Sequence, residues 1–392
     1  MGLSKVTLSL TLAALLSACA NLTEDASLKT DKPSSNSSQP PPNYLAIQNW
    51  KPLGSVEGKL NKLNEDLYAS DVFSTAIDYA AAMESYSLLV WHDGAIRLEQ
   101  YYREFDANLK PETASMHKSV LGLLFAAAIE DGFIKSADDR IGNYIDAWNS
   151  LPEGDITIEQ LLTMSSGLGS LSREGGVNSE SFKFVRGELD ARSTLLGLRL
   201  EGTAGSTFSY ANTNSQLLGL VLEAATGQPY AQYLSQRLWQ PLGADDASVW
   251  YFEENGFPRT YASLLARSRD WLKVGLLIKN GGLHQGQQII APELISAMIK
   301  QSATNPNYGW QIWLGNEYEE KRYYNDLKIG FGVPMAEPFK VDDMIYFDGF
   351  GGQRVYISKS EDLVIVRTGD TRLDWDDSQL PNMIIETVRN LN

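Results

Sequence analysis

The strand-forming stretches of this chain stand at opposite ends of its folded portion. "SYSLLVWHDGAIRLEQYY" (Ser85 to Tyr102) is two β-rich runs joined by Asp93-Gly94, a pair suited to a tight hairpin turn. "DMIYFDGFGGQRVYISKS" and "DLVIVRTGD" lie beyond residue 342, and the second is apolar almost throughout, as in a buried strand. Residues 133–290 read mostly as helices and long loops, clearest in "DITIEQLLTMSSGL" and "NSQLLGLVLEAATG". The sheet is therefore assembled from both ends of the chain. The expected fold is mixed α/β (α+β): an antiparallel sheet flanked by helices, with an inserted, mainly helical lobe. Residues 46–132 and 291–392 form the α/β lobe, and residues 133–290 the helical lobe. "DVFSTAIDYAAAMES" has helical spacing with Asp71 as its cap, and "MIIETVRNLN" closes the chain as a short helix.

The first 45 residues stand outside this core. Residues 1–18 have a basic start at Lys5, an apolar run from Val6 to Leu16, and small residues before Cys19. That pattern resembles a bacterial lipoprotein signal, which implies lipid on Cys19 and, with Ala20 following it as in Gram-negative lipoproteins, an outer-membrane anchor facing the periplasm; an ordinary secretory signal with an incidental cysteine is the alternative. The apolar run is too short to span a bilayer. Residues 19–45 are rich in Ser, Asn, Thr and Pro without apolar periodicity, a disordered tether. Cys19 is the one cysteine, so no internal disulfide framework exists. The 392 residues carry 49 acids against 33 Lys and Arg, a net charge of −16. That balance argues against a nucleic-acid groove or a polybasic membrane patch.

"TASMHKSVLGLLFAAAIEDG" (Thr113 to Gly132) is the most apolar helical stretch, yet its first turn carries Ser115, His117 and Lys118. Ser115 and Lys118, three apart, share one helix face. A serine hydroxyl needs a base to become a nucleophile, and a lysine serves only if burial or neighbouring charge lowers its pKa. A cap with a snorkelling lysine is the bland alternative. "GSTFSYANTN" adds Tyr210 and Asn212 on a loop opening the helix that begins near Asn214. The other Tyr-x-Asn, Tyr323/Asn325, lacks the preceding Gly-x-x-Phe and reads as a solvated loop. "DGFGGQRVYI" brings Gly349, Gly351 and Gly352 into a strand, either as a bulge or as a ligand-facing edge.

In this order, these pieces resemble the serine β-lactamase and penicillin-binding-protein superfamily over roughly residues 75–370. The likeness is to the class C β-lactamase-related esterase and 6-aminohexanoate-oligomer hydrolase branch. "ITIEQLLTMSSGL", "PLGADDAS" and "RSRDWLKVGLLIKNGG" support it. The resemblance implies Ser115 as acyl-accepting nucleophile, Lys118 as its proton acceptor, and Tyr210 as shared base and leaving-group acid. It also implies that Asn212 orients Lys118 and contacts substrate. Phe350, Gly351 and Gly352 would line the substrate, and the Ser115 and Gln353 amides would form the oxyanion hole. No cofactor or metal is implied. Many relatives carry Lys or His where this chain has Phe350, so the charge that helps hold the carboxylate of β-lactams and D-alanyl peptides is missing there. Arg354 is nearby, but strand alternation turns it from the Gln353 face. A carboxylic ester or a linear amide is the expected small-molecule substrate. The alternatives are a class C-like β-lactamase or D,D-peptidase, and a non-catalytic binding lipoprotein of the same fold.

Other chemistries lack their signatures. His92 and His284 sit by turns and are expected at the surface, while His117 points off the Ser115/Lys118 face. There is no G-x-S-x-G elbow, no H-E-x-x-H and no phosphate loop. The aromatics of "VWYFEENGF" and "NYGWQIWLGNEY" are expected mostly in packing, with some walling a cleft. "SLSREGGVNSESFKF" (Ser170 to Phe184) lacks periodicity and reads as a loop over the site.

Overall fold

The computed structural model describes residues 50–54, 63–69, 71–252 and 256–391. The leader, Cys19 and the tether assigned to residues 1–45 lie outside the described residues. The main sheet has six strands: β1 (Ser85–His92), β2 (Ala95–Tyr101), β3 (Trp313–Leu314), β4 (Ile345–Gly349), β5 (Gln353–Ser358) and β6 (Leu363–Gly369). Their order is β2-β1-β6-β5-β4-β3, all antiparallel. The expected joining of the two chain ends is the β1–β6 pair, where Val90 faces Ile365 and Leu88 faces Arg367.

Both faces of this sheet are covered, which explains the near-continuous apolar runs. Leu88, Val90 and Ile365 pack with helices α1 (Ser74–Ala82) and α6 (Gln379–Arg389). Leu89, Val355, Val364 and Val366 pack on the opposite face, in the core shared with the helical lobe. Helices α2 (His117–Glu130), α3 (Glu180–Arg186), α4 (Asn212–Thr226) and α5 (Ser268–Lys279) belong to that side. Gly275 of α5 lets the sheet come close, since a Cβ there would lie 2.7 Å from Val364 and 2.9 Å from Val355. Helix α5 thus lies on the sheet although it falls within residues 133–290.

Several local expectations change. Helix α1 begins at Ser74 with no side-chain cap, and Asp71 supplies its carbonyl, not its carboxylate, to the Ser74 amide. The segment 133–290 is not helix and loop alone: Trp50–Leu53 pairs with Ala247–Trp250, which pairs with Leu264–Leu265. Within "DITIEQLLTMSSGL" only Ile158–Leu162 is α-helical, opened by a capping box of Thr157 and Gln160. The chain then reverses at Met164, whose φ is +58°. His92 and His284 are buried, not exposed, and burial lowers the pKa of each. A turn marks where the backbone reverses but does not determine what covers it.

Candidate active site

Ser115 sits in a single 3-10 turn (Ala114–Met116) that runs directly into α2. Ala114 adopts φ +48°, an uncommon conformation for a residue with a Cβ. The Glu112 carboxylate accepts the Ala114 amide at 2.7 Å and holds that turn. Helix α2 is buried over nearly its whole length, which places Lys118 at 1% exposure beneath Ser115. The Lys118 ammonium nitrogen lies 3.1 Å from Ser115 Oγ, 2.8 Å from Asn212 Oδ1 and 2.8 Å from the Tyr261 carbonyl oxygen. Burial drives its pKa well below that of a free lysine, against the opposing field of Asp348.

Asn212 and Tyr210 reach the same point from the start of α4. The Tyr210 amide donates to the Tyr324 carbonyl at 2.9 Å, and its ring stacks on Trp313 with centroids 5.9 Å apart. Its hydroxyl is hydrogen-bonded with Ser115. Burial first, then Tyr308 and Asp348, raise the Tyr210 pKa, so the phenol keeps its proton at rest. His117 points away, as its place two residues from Ser115 on a helix implied: its ring nitrogens meet the Ala262 carbonyl and the Tyr230 hydroxyl, each at 2.9 Å. Burial lowers its pKa to about 4.

The hairpin between β4 and β5 brings the third piece. Gly349 pairs with Gln353, and Phe350, Gly351 and Gly352 form the loop between them. Phe350 lines the cleft and its ring lies 5.7 Å from that of Phe331. Gly351 and Gly352 make room for the protein itself. A Cβ on Gly351 would fall 2.6 Å from Thr371 Cα, and one on Gly352 2.6 Å from the Trp375 ring. Both have positive φ, and their carbonyls accept from the buried Arg367 guanidinium. Of the three residues expected beside the substrate, Phe350 lines the cleft, while Gly351 and Gly352 shape the turn that carries it. Gln353 directs its side chain to the Gly369 backbone at 2.8 and 2.9 Å. Arg354 does turn from the Gln353 face, into ion pairs with Asp348 and Asp377.

Gly349 seats this hairpin against the nucleophile turn, since a Cβ there would lie 2.2 Å from the Thr113 carbonyl oxygen. Gly349→Ala is accordingly expected to push the hairpin off Ser115, costing about 1–3 kcal/mol as overpacking does. Thermal unfolding measures the loss, and the rate of active-site labelling should fall with it.

The wall of the cleft contains three residues that motif reading missed: Tyr324, Phe331 and Asp348. Tyr324 neighbours Tyr323, whose expected solvated loop is instead a short strand, Lys321–Tyr323, paired with Gly332–Pro334. Asn325 bridges to Ser209 beside Tyr210. The Tyr324 hydroxyl donates to Asp348 at 2.8 Å. No spacing signal could have found this, because residues 324 and 348 meet only through a side-chain contact made by the tertiary fold. Ser170, Leu171, Arg173 and Phe184 line the cleft as the loop reading implied, although part of that segment is helix α3. Trp313 packs on Tyr210, and Trp250 is core.

The profile of the family described as Beta-lactamase matches residues 73–372. The 6-aminohexanoate-dimer hydrolase of Paenarthrobacter ureafaciens is 24% identical over 226 residues, 53% of this chain and 55% of that protein. The chain thus spans about half the length of that relative. A Bacillus anthracis structure provisionally named 6-aminohexanoate-dimer hydrolase superposes with a TM-score of 0.67 at 17% identity, covering 89% of this chain and 90% of that one. A family VIII carboxylesterase superposes with a TM-score of 0.59 at 14% identity, covering 84% and 99%. At these identities the structural likeness carries the fold.

Proposed function

The chain belongs to the beta-lactamase family, and on that premise we propose that it is a serine hydrolase acting through an acyl-enzyme at Ser115 on a carboxylic ester or linear amide. The observation that carries this reading is the set of three oxygens around Lys118. With Asn212 presenting Oδ1, two of them, the amide oxygen and the Tyr261 carbonyl, only accept. A neutral amine has two protons for those two and one lone pair left for the Ser115 hydroxyl. Tyr210, kept protonated, donates to Ser115 Oγ in turn.

Lys118 would take the Ser115 proton as Oγ bonds to the substrate carbonyl carbon, and the carbonyl π pair would move onto oxygen. The Ser115 and Gln353 amides would face that charge. Collapse would break the bond to the leaving group, which takes its proton from Tyr210, and Lys118 would return one to Tyr210. Water would then hydrolyse the acyl-enzyme over the same groups. The apolar lining of Leu171, Phe184, Val185, Phe331 and Phe350 supports an ester or amide with an apolar portion. The same proposal places the chain in the cell envelope, tethered through lipid on Cys19.

The test is intact-mass labelling of a soluble form lacking residues 1–45, with a fluorophosphonate and separately with a penicillin, beside Ser115→Ala. A phosphonate adduct on wild type alone is expected. A stable or turned-over penicillin adduct would favour the β-lactamase or D,D-peptidase alternative. Absence of any adduct would sink the hydrolase reading and favour a binding protein of the same fold.

A further inference from the structure

We infer that Arg173 is the substrate-selecting cation of this cleft, so that the preferred ester or amide carries a carboxylate at the far end of an apolar chain. This rests on the hydrolase reading above. Among the described residues, two charged side chains line the cleft, Arg173 and Asp348. Asp348 is fully committed: Arg322 and Arg354 hold it at 3.0 and 2.8 Å, and both arginines also pair with Asp377. Two cations and two anions close that group at zero net charge. Lys118 lies beneath Ser115, not on the cleft surface, and burial favours its neutral form.

Arg173 is different. It is exposed at the cleft, and among the described residues its guanidinium engages no carboxylate and no hydrogen-bond acceptor. Glu180, an acid of the same segment, is occupied in accepting the Ser172 amide at 3.1 Å. The chain as a whole, at −16, disfavours approach by anions. A free arginine at the mouth of an otherwise neutral cleft, lined by hydroxyls as well as by Leu171, Phe184, Val185, Phe331 and Phe350, reverses that locally. Its planar fork suits a carboxylate, which it engages through two parallel bonds. The charge missing at Phe350 is thereby supplied from a different wall, the segment leading into α3, so the anion it selects need not lie beside the scissile bond.

The test compares two esters of equal chain length, p-nitrophenyl hexanoate and the mono-p-nitrophenyl ester of hexanedioic acid. Wild type, Arg173→Lys, Arg173→Gln and Arg173→Glu are assayed, and the readout is the ratio of kcat/KM for the acid ester to that for the neutral one. Any general disturbance of the fold affects both esters and leaves the ratio alone. For a solvent-exposed pair the ratio is expected to fall about fivefold in Arg173→Gln and further in Arg173→Glu. Arg173→Lys should retain part of it. The change should reside in KM, as for binding shared by ground and transition states, and the wild-type ratio should shrink in high salt. Turnover of both esters with a ratio indifferent to position 173 would overturn this inference and leave the hydrolase reading standing. Failure of wild type to hydrolyse either ester would overturn both.

Discussion

Lys118→Met is expected to lower kcat for ester hydrolysis by about a thousandfold, the scale of a lost general base. Methionine nearly matches the lysine stem in length and fills the buried channel, but it has no lone pair able to take the Ser115 proton. Asn212 Oδ1 and the Tyr261 carbonyl oxygen lose their donor at the same time, so part of the loss comes from a less ordered Ser115 turn. KM should move little, since Lys118 lies behind the nucleophile. The pH profile separates chemistry from positioning. Burial lowers the Lys118 pKa, so wild-type kcat/KM should rise with pH through a midpoint well below the 10.5 of a free lysine as the amine loses its proton. That limb should vanish in Lys118→Met. Steady-state assays from acid to alkaline pH test this, and an unchanged limb in the variant would remove Lys118 from the base role.

Arg354→Met is expected to destabilise the fold by about 3–5 kcal/mol, the cost of breaking a buried ion pair from one side. Arg354 and its partners Asp348 and Asp377 each have at most 3% of the side chain exposed. Removing the cation leaves two buried carboxylates to Arg322 alone. It also strips a donor from the Gly349 and Gln353 carbonyls, at 2.7 and 2.9 Å, which sit at the base of the hairpin beside Ser115. Acid sensitivity should change in the same experiment. Burial opposes the Asp348 charge, but Arg322 and Arg354 outweigh it and hold its pKa below the usual carboxylate range. A folded value below the unfolded one means that stability is complete above about pH 3.9 and is lost as pH falls through the folded value. Arg354→Met raises the folded value, so this acid-dependent loss should shrink from a lower starting stability. Equilibrium urea unfolding at neutral and acid pH measures both effects. A variant as stable as wild type would show that the cluster sets geometry rather than stability.

The catalytic candidates were legible because their chemistry is local. Ser115 and Lys118 are one helical turn apart, Tyr210 and Asn212 open one helix, and such spacings hold whatever the tertiary fold. The joining of the chain's two ends was legible for a different reason: apolar runs without alternation need cover on both faces, and too few strands lay in the middle to build a sheet. The rest depended on contacts between distant segments. Asp348 stood in plain view in "DGFGG", but its neutralisation requires Arg322 and Arg354 and its place in the cleft requires Tyr324. Gly351 and Gly352 announced close approach without revealing that Thr371 and Trp375 were the approaching groups. His92 and His284 show the same limit.

Strand β6 lies between β1 and β5 at the centre of the main sheet, yet it is the last strand to leave the ribosome. Until residue 369 has been synthesised, the early hairpin of β1 and β2 presents an apolar edge with nothing to pair against, and the hydroxyl and amine of the Ser115 turn have no finished hairpin beside them. Completion of the sheet thus waits for pairing between residues 85–92 and 363–369, a long-range closure of the kind that slows folding. In that interval the unpaired edge of β1 is a surface with which another chain could pair.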